Sequence, residues 1–212
     1  MEGLLIETTS STKGFEICEE KVNPNSAWKS LKIKGIFQRA DAKNQNGRVY
    51  PYAVLNKAIQ EVSESLNSRN MFGELDHPAD QSPTVSLKNV SHVITSLRFS
   101  GKEVIGEAIV FDDPGPAGTP AGRLLGALIR NNCTVGISSR GYGAVSEGYE
   151  GTTVDEYKLV TFDCVHDPST QKAFIQPVTE GADFKRQLKQ ALEREALLKE
   201  LRSEFSTMLL KK

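Results

Sequence analysis

The chain has 212 residues, enough for one sizeable core plus an appendage, and 26 basic against 27 acidic residues leave a net charge of −1. There is no global field to recruit nucleic acid or an anionic membrane surface, so any partner is recognised locally. No run approaches the 18 or so apolar residues of a spanning helix, and the start, Met1-Glu2-Gly3-Leu4-Leu5-Ile6-Glu7, lacks a basic region followed by a long apolar stretch. Three widely spaced cysteines, Cys18, Cys133 and Cys164, fit reduced thiols in a cytoplasm better than a disulfide framework or a zinc cage.

Residues 3 to 19 read as two short strands around a Ser/Thr-rich turn, followed by a polar linker to about Ser26: a loosely held leader. Leu31 to Phe37 alternates apolar with basic residues, as a half-buried strand does, and Asn44-Gln45-Asn46-Gly47 turns the chain. After Pro51, the spacing of Val54, Leu55, Ala58, Ile59, Val62 and Leu66 predicts an amphipathic helix to about Ser68. A strand from Met71 to Leu75 leads into a turn holding His77. A hairpin follows, with arms from about Thr84 to Phe99 and from Glu103 to Phe111.

A Pro/Gly loop then ends at Thr119, an N-cap, with Pro120 at the first helical position. The helix it opens carries Leu124, Leu125, Leu128 and Ile129 on one face and delivers the chain to a strand containing Ser138 and Ser139. A further hairpin has Asp155 to Val165 as its second arm. Residues 182 to 210 form one long amphipathic helical pattern that asks for a partner surface. The expected organisation is a leader over 1–26, a catalytic domain over 27–181 and a C-terminal helix over 182–212. Its fold class is α+β, with a β-barrel or strongly curved sheet as core.

Two segments carry chemistry, Gly73-Glu74-Leu75-Asp76-His77-Pro78 and Val135-Gly136-Ile137-Ser138-Ser139-Arg140-Gly141. A serine hydroxyl needs an imidazole to take its proton, and the imidazole needs a third group to fix its tautomer. With three histidines in the chain, the bases to choose from are His77, His92 and His166. His92 sits between apolar strand residues and His166 precedes Asp167-Pro168, so His77 is the first choice. Alternation puts Ser139 on the face of Val135 and Ile137 and Ser138 on that of Thr134 and Gly136, and a bulge at the glycines could reverse the two. Asp163, a carboxylate among apolar strand neighbours, needs a partner to stay charged. A metal site built from Glu74, Asp76 and His77 is disfavoured because alternate strand residues point to opposite faces. A non-catalytic scaffold role, with the Ser/His pair incidental, is the rival from another class.

Together with Thr119-Pro120-Ala121-Gly122-Arg123, these segments make the chain resemble the prohead proteases of T-even bacteriophages. These capsid-maturation serine proteases are distantly similar to herpesvirus assemblin. The resemblance implies an assemblin-like fold and endopeptidase action, with no cofactor and no metal, on scaffold and shell proteins inside a virion prohead core assembled in the host cytoplasm. A homo-oligomer is expected from the C-terminal helical pattern, and the charge balance predicts no nucleic-acid or membrane partner. The resemblance places the histidine at His77 and the serine in the Ser138-Ser139 pair, where a Ser-x-Gly pattern favours Ser139. Asp163 is then the third member, with His166 or His92 as substitutes, and backbone N–H groups near Arg140 and Gly141 hold the oxyanion. It further implies cleavage after Glu preceded two residues earlier by Leu or Ile. That pattern marks self-processing after Glu7, Glu19 and Glu200, with later cutting after Glu61.

Overall fold

Among the described residues, the alternating segments assemble into two sheets flanked by three helices. The computed structural model describes residues 2–8 (backbone only), 16–21, 24, 27–44, 46–80, 82–149 and 151–166. All lie within Met1–Pro177, one compact unit. The strands are β1 (Glu2–Thr8), β2 (Glu16–Glu20), β3 (Ser30–Arg39), β4 (Arg48–Val49), β5 (Phe72–Glu74), β6 (Val90–Ser100), β7 (Glu103–Val110), β8 (Gly136–Gly148) and β9 (Gly151–Val165). The helices are α1 (Tyr52–Glu61), α2 (Ser63–Asn67) and α3 (Pro120–Arg130).

One sheet runs β1-β8-β9-β4 and the other β2-β3-β7-β6-β5. Every named strand pair is antiparallel except β4 with β9. Mixed α/β composition is as expected, but the ladders among the described residues do not close into a barrel. Register shifts in β3, β5, β6, β8 and β9 supply local bends instead, since an extra residue on one strand kinks it and increases its twist. The C-terminal helix expected over 182–210 lies outside the described residues.

The alternation of β3 has the predicted consequence. Leu31 and Ile33 are buried, while Lys32 on the other face meets Glu20 at 3.3 Å and Glu107 at 3.2 Å. A register shift between Ile36 and Gln38 then allows Ile36, Phe37 and Gln38 all to be buried. Both sheets fill one core, in which Phe37 of β3 meets Phe162 of β9 edge-on at 5.2 Å. The helix expected to reach Ser68 is divided at Val62 into α1 and α2. Helix α3 starts as expected: the Thr119 hydroxyl accepts from Gly122 N–H at 2.9 Å and donates to the Val90 carbonyl at 2.6 Å. It buries Leu125 and Ile129, whereas Leu124, assigned by its spacing to the same face, is exposed. The strand expected to begin near Thr84 begins at Val90, because the chain before it is tied into a turn by Asn89 N–H on the Ser86 carbonyl.

The leader is more engaged than its composition suggests. Its two strands do not pair with each other: β1 pairs with β8, and β2 with β3.

Candidate active site

Three local features bring His77, Ser138 and Asp163 together. In the β8–β9 ladder Ser138 lies directly opposite Asp163, and directly opposed residues present their side chains to the same face. The chain leaving β5 then joins β9 through a parallel bridge from Leu75 to Cys164 and a 2.7 Å bond from Asp76 N–H to the Cys164 carbonyl. Asp76 turns the chain with a left-handed φ of 70°, a conformation that Asp tolerates better than most residues, and its Oδ1 accepts from His77 N–H at 2.9 Å. The imidazole therefore stands over the Ser138–Asp163 pair.

Its Nδ1 lies 2.7 Å from Asp163 Oδ2 and its Nε2 2.6 Å from Ser138 Oγ. An ionised carboxylate only accepts, so Nδ1 carries the proton and Nε2 is left to accept from the serine hydroxyl. Ser138 is 1% exposed and Asp163 fully buried, which removes most competing water.

The carboxylate is held from every side. Asp163 Oδ1 accepts from Glu74 N–H at 2.9 Å and from Arg140 Nη2 at 3.1 Å, while Arg140 Nε lies 2.8 Å from Oδ2. Arg140 Nη2 also donates to Glu74 Oε1 at 2.9 Å, and Nη1 to the Ser82 and Thr84 carbonyls at 3.1 and 3.2 Å. One guanidinium thus serves two buried carboxylates and pins the loop that follows His77.

The nearest serine differs from the one expected. Ser139 points with Ile137 toward the core, fully buried, and its Oγ has no hydrogen-bond partner among the described residues. The Val135/Ile137 face packs inward, so alternation sends Ser139 with it and Ser138 to the opposite face. The expected oxyanion positions, Arg140 and Gly141, follow Ser138 along β8. Gly141 lies three strand residues beyond Ser138, about 10 Å at about 3.3 Å per residue, too far for its N–H to bond an oxygen beside Ser138 Oγ. The Arg140 side chain bonds Glu74 and Asp163, contacts that leave the part expected of its backbone N–H untouched. Glu74, considered from sequence only as a metal ligand, bonds Arg140 and Ser86 N–H through Oε1. The signal for both roles was present: a buried Asp requires a cation, and Arg140 is two residues from Ser138 on the same face.

The other histidines stand apart. His92 Nε2 donates to the Phe162 carbonyl at 3.0 Å, and Ser91 Oγ sits 2.9 Å from Nδ1. Burial pushes its pKa down to about 4, so the ring is neutral, a strut beneath β9 rather than a base. Gly73 makes room for it, since a Cβ there would fall 2.1 Å from His92 Nε2. Burial likewise raises the Cys164 thiol, which keeps it unreactive. His166 is exposed at the end of β9. Of the expected self-cleavage positions, Glu7 lies in β1, Glu19 in β2 beside Arg130 at 3.3 Å, and Glu61 ends α1, whereas Glu200 lies outside the described residues. A cleft of about 300 Å³ between α1 and the β8–β9 hairpin, lined by Val54, Tyr142, Asp155 and Lys158 among others, holds none of the three site residues.

Comparison with known proteins bears on the family of the chain. The family model described as "Prohead core protein serine protease" matches residues 6–183. The prohead core protein protease of Enterobacteria phage T4 is 34% identical over 152 residues, covering 69% of this chain and 68% of that protein. The solved structure of the bacteriophage T4 capsid assembly protease superposes with a TM-score of 0.66 at 30% identity, covering 77% of this chain and 98% of that one. A protease family displaces the reading as a non-catalytic scaffold component. The chain belongs to the prohead core protein serine proteases.

Proposed function

We propose that this serine protease cuts core and shell proteins of an immature phage capsid, with Ser138 as nucleophile, His77 as general base and Asp163 as the group that orients His77. The observation that carries the assignment is the 2.6 Å contact between Ser138 Oγ and His77 Nε2, continued by 2.7 Å from Nδ1 to Asp163. As Oγ attacks the scissile carbonyl, its proton passes to Nε2 and the imidazolium is stabilised by Asp163. The same proton then goes to the leaving amine, and water, deprotonated by His77, releases the acyl group. Glu74 N–H and Arg140 hold the Asp163 carboxylate in place, so little reorganisation accompanies proton transfer.

The substrate class follows from the family: the T4 relatives are named for the prohead core and for capsid assembly. Preference for Glu with Leu or Ile two residues earlier, self-processing, action inside proheads assembled in the host cytoplasm, and a homo-oligomeric form tethered by residues 182–212 belong to the same proposal. A fluorophosphonate probe tests the site. Labelling should map to Ser138 by mass spectrometry and disappear in His77→Ala; a folded protein that neither takes the label nor cleaves core protein would refute the reading.

A further inference from the structure

The active-site strand has two edges. On one, β9 places Asp163 opposite Ser138; on the other, β1 runs antiparallel with Thr8 opposite Ser138 and Glu7 opposite Ser139. The base arrives from the β9 side, through the Leu75–Cys164 bridge. The opposite edge is therefore the one along which an extended polypeptide can lie beside the nucleophile without meeting His77 or Asp163. Strand addition to such an edge is a recurrent way to bind extended chains: main-chain hydrogen bonds supply affinity and alternate side chains supply selectivity. Here the edge is already occupied by the chain's own N-terminus. Among the described residues the last pair of this ladder is Thr8 with Ser138, so the Glu7–Thr8 peptide lies about one strand spacing, roughly 4.8 Å, from the Ser138 backbone. Ser138 is also closed to solvent at 1% exposure, so an incoming substrate needs something to leave.

We propose that the β8 edge at Ser138 is the docking strand for substrate backbone, and that β1 is its occupant in cis, with Glu7–Thr8 in the position of the bond to be cut. The proposal rests on the protease reading above. The step balances as an ordinary acyl transfer. Ser138 Oγ bonds to the Glu7 carbonyl carbon, the bond to the Thr8 nitrogen breaks, and that nitrogen leaves as an amine with the proton carried by His77. Water then releases the Glu7 carboxylate. Before the cut, β1 competes with substrate at the effective concentration of a tethered segment, on the order of millimolar. After it, the N-terminal product is no longer tethered, loses that effective concentration and dissociates. The N-terminus thereby acts both as first substrate and as plug, and its removal opens the edge to other chains.

The test uses the full chain carrying Ser138→Ala, so that nothing is cut, with and without Leu5→Pro plus Ile6→Pro. Two adjacent prolines withdraw the β1 ladder donor whichever of them faces β8. The probe is a fluorescent peptide of residues 1–14, its affinity read by anisotropy. The proline variant should bind at least tenfold more tightly, and a Ser138→Ala chain lacking residues 1–8, shown folded by circular dichroism, should match it. Equal affinity across the three proteins, or no binding by any of them, overturns the proposal. In parallel, mass spectrometry of incubated wild type should show the Glu7–Thr8 cut, absent from Ser138→Ala. A wild type that hydrolyses core protein but leaves that bond intact defeats the strand-site proposal alone, whereas one inert to every substrate defeats the protease reading.

Discussion

Arg140 and Asp163 are joined twice, Nε to Oδ2 at 2.8 Å and Nη2 to Oδ1 at 3.1 Å, with both side chains fully buried. Removing one partner of such a pair strands the other charge, which typically costs about 3–5 kcal/mol. Arg140→Met should therefore destabilise the fold by about that amount in urea titration, since it leaves both Glu74 and Asp163 without their cation. A loss under about 1 kcal/mol would mean the two carboxylates are neutralised in some other way.

Asp163→Asn keeps the shape of the side chain but lets the amide donate to His77, so the wrong imidazole tautomer becomes available. Turnover should fall on the order of 10³–10⁴-fold with little change in KM. Steady-state kinetics on folded protein decide it; near-normal kcat would remove Asp163 from the mechanism.

A neutral buried His92 makes stability depend on pH in a definite direction. Its folded pKa is lowered to about 4 from 6.5, so between those values the unfolded chain binds more protons than the native one. The contribution is fully present above pH 6.5 and is lost as pH falls toward 4, about 3 kcal/mol in all. Urea midpoints should drop across that window in wild type and change less in His92→Gln, which cannot titrate.

Much of this architecture was readable from local pattern. Lys32 and Lys34 alternating with Leu31 and Ile33 marked a half-buried strand, and Thr119-Pro120 marked a helix start; both rest on local backbone and side-chain rules. The His77 turn and the importance of Asp163 were legible for the same reason, because a carboxylate within an apolar strand demands partners. Which serine stands beside His77 follows from which face of β8 packs inward, and alternation set Ser139 with Val135 and Ile137 but left the two open to reversal by a bulge at the glycines. The partners of Asp163 were less legible. Arg140 lies 23 residues away in sequence and Glu74 lies 89 away, and only the ladder and the Leu75–Cys164 bridge bring them together. Nor could composition show that a polar leader supplies β1 to the active-site strand, since edge pairing depends on what the rest of the sheet leaves open.

The attacking hydroxyl is assigned to Ser138, and parallel kinetics on Ser138→Ala and Ser139→Ala decide the assignment. Ser138→Ala removes the group bonded to His77 and should lower kcat by several orders of magnitude while the protein stays folded. Ser139→Ala removes a buried hydroxyl that has no partner among the described residues, so stability should hold or rise and turnover should stay within about tenfold of wild type. The reverse outcome, an active Ser138→Ala beside a dead but folded Ser139→Ala, would contradict the assignment.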